Sequence, residues 1–124
     1  MFKKLNESAI IPKKKNEYAA GYDVFAIEDI KIKPGYTEHI KLGIALDLDK
    51  EKYKGLFFGL YLTDSIAQRG LILPNGVGVI NIDSEDEIRM LVFKPLHDPS
   101  GYENRTISIK KGDKVGQLIL KNFF

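Results

Sequence analysis

Residues 73–93 read LPNGVGVINIDSEDEIRMLVF, and this stretch decides the fold. Two apolar runs, Val77 to Ile82 and Ile88 to Phe93, are separated by an acidic turn and preceded by Pro74-Asn75-Gly76. Apolar runs of about four to eight residues, bounded by Gly, Pro, Asn and Asp, are typical of β-strands joined by turns. The stretch therefore predicts two consecutive strands of a β protein.

The rest of the chain follows the same pattern, and no long helical period competes with it. Further strands are predicted at Tyr22 to Ile27, Ile40 to Leu48, Leu56 to Leu62, Thr106 to Ile109 and Val115 to Leu120. The helix candidate is a single turn from Ser65 to Arg69, with Ser65 as its N-cap. We therefore predict an all-β sandwich, barrel or jelly roll of short strands with one short helical turn, forming a single domain over residues 1–124.

Composition excludes several classes of function. The 124 residues are 44% hydrophobic and contain no cysteine, which excludes disulfides and thiolate metal sites. The two histidines, His39 and His97, are predicted to be solvated residues. A balanced net charge of +2 argues against a nucleic-acid partner, and no apolar run approaches the roughly 20 residues of a membrane span. We expect a cytoplasmic protein without a membrane partner.

The run from Leu56 to Leu62 is apolar on both faces of its predicted strand. A small isolated sandwich would expose one of these faces to water. Two explanations fit the pattern: burial of one face by a partner subunit, or a central strand within a single chain. Composition does not distinguish between these explanations.

Several further segments occur in an informative order. These segments are Ala19-Ala20-Gly21-Tyr22-Asp23-Val24, Thr63-Asp64-Ser65-Ile66-Ala67, the stretch from Leu73 to Glu87, and Gly112-Asp113-Lys114-Val115-Gly116-Gln117-Leu118-Ile119-Leu120. Together they resemble, in the same order, the first four motifs of the trimeric dUTPases, within the superfamily that includes the dCTP deaminases. The resemblance implies a dUTPase-like jelly roll, or β-clip, and a homotrimer with three nucleotide sites at the subunit interfaces.

The resemblance also implies a set of ligand-binding residues. The segment from Leu73 to Ile80 resembles the hairpin whose backbone pairs with uracil. The implied ligand-binding positions are Asn75, Gly76, Val77, Gly78, Asn81, Ser84, Ser65 and Gln117. Strand alternation places Gln117 on the same face as Val115 and Ile119. The resemblance implies that Gln117 lies by the phosphates, and the alternative is a polar position at a subunit seam. Asp23 contacts a metal through water or, alternatively, satisfies turn amides.

The reacting centre departs from the family pattern. Where the family has the aspartate that activates water, this chain has Asn81, whose amide cannot accept a proton. Asp83 is the fallback base; it is predicted on the same strand face, roughly 6.6 Å further along. Ser84 replaces a tyrosine that stacks on deoxyribose, so the resemblance implies a relaxed choice of sugar.

The phosphate end departs as well. Asp64 stands near the place of the family's phosphate-binding arginine, and Arg69 or Lys114 is a possible replacement cation. We also expect the family's glycine-rich C-terminal arm to be absent, because the sequence ends at Phe124.

These departures favour a catalytically impaired, nucleotide-binding protein that sequesters or senses a nucleotide-like ligand. A phage protein that sequesters a nucleotide immune signal is one example. We expect that binding requires no cofactor. The main alternative is a divergent Mg-dependent dUTP diphosphatase that uses Asp83 or Glu85. Two others are a dCTP-deaminase-like enzyme using Glu87 and an interaction protein with a vestigial pocket.

Overall fold

A computed structural model describes residues 1–96 and 105–123. Within these ranges the elements, in chain order, are β1 Phe2–Lys4, β2 Tyr22–Phe25, β3 Ile30–Ile32, β4 Thr37–Leu46, β5 Leu56–Leu62, α1 Asp64–Gln68, β6 Gly78–Asn81, β7 Ile88–Phe93, β8 Ile107–Ile109 and β9 Lys114–Asn122. The predicted all-β fold with one short helical turn is confirmed. Across the described part of the chain, no helix has the length and apolar character needed to cross a bilayer.

The strands of these two ranges form three antiparallel sheets. Their strand orders are β1-β4-β7, β2-β9-β5-β6 and β3-β8. The four-stranded sheet, which we call sheet B, carries the predicted site residues Asp23, Gly78, Asn81 and Gln117. Its inner face packs on the core through Phe58, Leu60 and Leu118, all 2% exposed or less, and Phe2 and Tyr22 contact Phe58 with ring centroids 5.4 and 6.3 Å away.

Two of the predicted strands have the observed bounds, namely Leu56–Leu62 and Ile88–Phe93. β5 is hydrogen-bonded on both sides, to β6 and β9, so a central position explains much of its apolar character. Its outer face still carries the half-buried Phe57 and Tyr61. The structure thus supports the central-strand interpretation and leaves an apolar outer surface as well.

Other boundaries were wrong. The short strands β1 and β3 were not predicted, β2 and β6 are shorter than expected, and β4 begins and ends earlier. β4 contains an irregularity between Lys41 and Ile44, where Gly43 has a φ of 67° and Ala9 and Ile27 pack against it. Only glycine adopts this backbone conformation without cost, so Gly43 allows the bulge. The turn-forming residues Pro99-Ser100-Gly101 lie outside the described residues, as does His97.

The helix also begins earlier than predicted. Its N-cap is Thr63 in an extended conformation, with no side-chain capping bond, and Ser65 lies inside the first turn. The Ser65 hydroxyl lies 3.3 Å from the Thr63 hydroxyl. The prediction of Ser65 as N-cap was therefore wrong.

Candidate functional site

A tight turn and β6 together form one wall of a polar groove. The Gly76 amide donates to the Leu73 carbonyl at 2.9 Å, and Gly76 has a φ of 76° that favours glycine. The chain then enters β6, where Gly78 pairs with Leu60 and Asn81 pairs with Phe57. A Cβ on Gly78 would lie 3.0 Å from the Cβ of Leu60, so a small residue is needed at this position.

The groove beside β6, which we call the hairpin groove, has a volume of about 350 Å³. Its lining residues are Leu60, Asn75, Gly78, Val79, Ile80, Asn81, Ser84, Asp86, Glu87, Ile88 and Arg89. Four of the predicted ligand-binding residues are therefore brought together, namely Asn75, Gly78, Asn81 and Ser84. Gly76 and Val77 are exposed at the turn and do not line the groove.

A turn after β6 holds Ser84 at the groove. The Ser84 amide donates to the Asn81 carbonyl at 3.0 Å, and the Ser84 hydroxyl accepts from the Asp86 amide at 3.4 Å. Because β6 ends at Asn81, Asp83 lies in this turn and not on the strand, so the predicted shared strand face was wrong. Asp83 instead lines two neighbouring grooves, one with Ser84 and Glu85 and one with Asn81 and Phe123.

A second set of predicted residues lies on the outer face of sheet B. Asp23 pairs with Gln117, and Gln117 pairs with Tyr61 on the other side. Directly opposed residues in antiparallel strands project to the same face, so these three side chains form a row across the sheet. Lys114 Nζ lies 4.0 Å from the Asp23 carboxylate and extends this polar row.

Gly21 explains why the first motif needs a glycine before Tyr22. A Cβ at this position would lie 2.7 Å from the Leu118 carbonyl oxygen and 3.1 Å from the Gln117 side-chain oxygen. The absence of a side chain lets the backbone approach β9 and leaves room for Gln117. The predicted common face of Val115 and Gln117 was wrong, because the register shifts between Val24 and Phe25 and Val115 turns fully into the core.

Arg69 directly follows α1, the helix that carries the predicted arginine position at Asp64. Arg69 Nη2 donates to the Ser108 carbonyl, so this side chain is bound to the β8 backbone. Asp64 and Ser65 are exposed on α1. Sequence reasoning missed Arg89 as a groove residue. The available signal was its position in the sequence. Arg89 is the second residue of β7 and comes two residues after Glu87, which also lines the groove.

Comparison with known proteins identifies the family. The dUTPase family model matches residues 7–124. The deoxyuridine 5'-triphosphate nucleotidohydrolase of Nautilia profundicola is 32% identical over 124 residues, covering 95% of this chain and 76% of the relative. This chain belongs to the dUTPase family. The yeast (Saccharomyces cerevisiae) nucleotidohydrolase is 32% identical over 119 residues, covering 92% of this chain and 69% of its own length.

Solved dUTPases share the fold of this dUTPase-family chain. A mutant dUTPase of phage phi11 of S. aureus superposes with a TM-score of 0.84 at 19% identity, covering 100% of this chain and 90% of that one. A mutant of the Staphylococcus bacteriophage 80alpha dUTPase with dUpNHpp superposes with a TM-score of 0.81 at 19% identity, covering 100% and 82%. At these identities the likeness extends to the fold.

Magnesium is the metal to consider for a member of the dUTPase family, since the phi11 dUTPase coordinates a structural Mg(II) ion. Within residues 1–96 and 105–123, no three His, Cys, Asp or Glu side chains cluster in a way that could hold a metal. Mg²⁺ is commonly held by one or two carboxylates together with substrate phosphates. Asp23 fits a role of this limited kind, but Lys114 competes for its carboxylate, so these residues do not form a protein-only Mg²⁺ site.

Proposed function

We propose that this dUTPase-family protein binds a uracil nucleotide in the hairpin groove and hydrolyses it poorly, so that it sequesters or senses the nucleotide. One observation carries the proposal: Asn81, at the family's base position, lines the groove. A carboxamide cannot accept a proton, so the general-base contribution of about 10²–10⁴-fold is missing at this position.

The hairpin supports recognition of a pyrimidine. The turn from Leu73 to Gly76 holds the backbone in a fixed conformation, and Asn75 lines the groove it borders. A base that buries free backbone groups of the hairpin without pairing with them loses about 1–3 kcal/mol per group, which favours a base whose edge pairs with them. The groove volume of about 350 Å³ is at the small end of ligand pockets, roughly 300–1,000 Å³, and suits a mononucleotide.

The arrangement of charges disfavours a triphosphate in the hairpin groove. Asp86 and Glu87 line this groove together with the single cation Arg89. A carboxylate about 4 Å from a phosphate costs on the order of 4 kcal/mol at an intermediate dielectric. A ligand with one or two negative charges therefore fits the groove better than a triphosphate.

We propose that the protein acts as a homotrimer. The lining of the hairpin groove includes none of Asp23, Gln117 and Tyr61, and in a trimer a second copy would bring such a row to the groove. The outer face of sheet B also carries Val79, which is 63% exposed, beside the half-buried Phe57. Sedimentation equilibrium at micromolar concentration tests this proposal, and a stable monomer would contradict it.

The second candidate function is Mg-dependent dUTP hydrolysis to dUMP and pyrophosphate. The names of the curated relatives favour this candidate, because the relatives described above are deoxyuridine 5'-triphosphate nucleotidohydrolases. The carboxylates of Asp83 and Glu85 lie in the turn that follows Asn81, and one of them would have to replace the missing base. In this case Mg²⁺ would neutralise the phosphates, with Asp23 as a candidate carboxylate to hold the ion through water.

One experiment separates the two candidates. Pyrophosphate release from dUTP with Mg²⁺ is measured beside calorimetric titration of dUTP, dUMP and UMP. We expect heat of binding with at least one monophosphate and release at least a hundredfold slower than that of an active family enzyme assayed in parallel. Turnover at the rate of the active enzyme would refute impaired hydrolysis, and the absence of binding to all three nucleotides would refute nucleotide binding.

A further inference from the structure

A separate groove at the C-terminal end of α1 is lined by cations. This groove, which we call the basic groove, has a volume of about 450 Å³. Its described lining residues are Gln68, Arg69, Lys94, Arg105, Thr106 and Ile107. Three of these side chains are positively charged, and none of the described lining residues carries a carboxylate. A concave surface lined by one sign of charge attracts ligands of the opposite sign, so this lining favours an anion.

Lys94 is the buried cation of the basic groove, with 1% of its surface exposed. Its backbone is held by two bonds, because the Gly35 amide donates to the Lys94 carbonyl at 2.6 Å and the Lys94 amide donates to the Tyr36 carbonyl at 3.3 Å. Its Nζ donates to the Pro95 carbonyl at 3.3 Å. Burial of an ammonium group is costly unless oxygen atoms surround it, and an apolar side chain at such a position is often no less stable. The fold therefore keeps a positive charge in the wall of this groove at a cost in stability.

Arg69 is an exposed cation whose orientation is fixed. Its Nη2 donates to the Ser108 carbonyl, which holds the guanidinium of this C-cap residue against β8. A carbonyl is neutral and a guanidinium has five N–H donors, so this bond leaves donors for two oxygens of an oxyanion in the bidentate arrangement typical of arginine. Thr106 adds a hydroxyl to the same lining, and Gln68 adds an amide.

The other two cations also have the capacity to bind a ligand. Lys94 and Arg105 make further interactions within the protein. An ammonium group has three donors and a guanidinium has five, so an anion can be bound in addition to these interactions.

From these observations we propose that the basic groove binds a phosphate-type oxyanion, either free or as the phosphate group of a larger molecule. Arg69 offers a bidentate pair of donors, and Lys94 and Arg105 supply further positive charge. The basic groove and the hairpin groove share no described lining residue. The proposal therefore does not depend on nucleotide binding in the hairpin groove.

Calorimetric titration of the 124-residue chain with inorganic pyrophosphate, without Mg²⁺, tests the proposal. We expect binding that Arg69→Gln weakens about tenfold, since this variant loses a charged bidentate contact, and that Arg69→Lys weakens less. Lys94→Met should also weaken binding, because it removes a buried charge. The matched control is Lys4→Gln, which removes one exposed charge on β1, outside the lining of this groove, and should leave the affinity unchanged. Arg69 is exposed, so the Arg69→Gln result stands even where Lys94→Met fails to fold.

A parallel titration with UMP distinguishes the source of the phosphate group. If Arg69→Gln weakens the binding of pyrophosphate and not that of UMP, the groove takes a free anion. If it weakens both, the groove also takes the phosphate of a nucleotide. Failure of UMP to bind at all contradicts the function proposed above and leaves the basic groove unaffected.

Three results would each overturn the proposal. The first is the absence of pyrophosphate binding to the unmodified chain. The second is an equal loss of affinity in Arg69→Gln and Lys4→Gln, which indicates attraction by overall charge. The third is an affinity that Arg69→Gln leaves unchanged.

Discussion

Replacing Gly21 by alanine should destabilise the protein through one backbone clash. The added Cβ would lie 2.7 Å from the Leu118 carbonyl oxygen, 0.7 Å short of the 3.4 Å at which ordinary contact begins. This oxygen belongs to the central strand β9 and cannot move without disturbing its pairing with β5. Overpacking of this kind costs about 1–3 kcal/mol, so we expect a loss near 2 kcal/mol and a fall in Tm of about 8 °C.

Gly59→Ala provides a matched comparison. The Cβ at Gly59 would lie 2.9 Å from the ring of Tyr61, a side chain that can rotate away, whereas the atom opposing Gly21 is backbone. Neither glycine has a positive φ, so the entropic gain from alanine is similar in both variants. Urea denaturation of both variants measures the difference. A Gly21→Ala loss below about 0.5 kcal/mol, or a larger loss for Gly59→Ala, would refute the reasoning.

Three further outcomes are expected. Phe58→Ala should lower the free energy of unfolding by about 3–5 kcal/mol, because Phe58 is fully buried. Phe123→Ala, at a residue 69% exposed, should lower it by less than about 1 kcal/mol. Denaturant titration of both variants measures these losses, and similar values would contradict the packing described. Asn81→Asp should raise the rate of pyrophosphate release from dUTP by about 10²-fold or more, because it restores a proton acceptor. The control Asn122→Asp adds the same charge on β9 and should not raise this rate. Equal rates in the two variants would count against Asn81 as the base position. Val79→Asp should shift the sedimenting mass toward that of a monomer, and an unchanged mass would exclude this residue from the subunit contact.

The sequence was sufficient to predict the long apolar strands. β5 and β7 have dense apolar content and are bounded by turn residues, so their bounds follow from composition. β1 and β3 have three residues each, and lysines occupy one or two of these positions. Such strands form because a partner strand is present, β4 or β8, and local sequence carries no trace of that partner.

Part of the candidate site could also be predicted. The turn residue Asn75, the small Gly78 and the polar Asn81 and Ser84 were all expected at one site, and the structure brings them to one groove. The position of Asp83 could not be predicted, because the sequence does not show where β6 ends. On a continuing strand Asp83 would share a face with Asn81, whereas a turn ends this alternation. The end of β6 is set by its pairing with β5, which stops at Phe57.

The order of the strands in sheet B has a consequence for synthesis on the ribosome. β2 ends at residue 25, and its neighbour β9 begins only at residue 114 and then fills the gap between β2 and β5. Until that segment has been synthesised, β2 lacks its β9 partner and one edge of β5 is unpaired, which leaves backbone groups and apolar side chains exposed. Sheet B is therefore completed only after β9 has been synthesised, and contacts between segments so far apart along the chain slow folding.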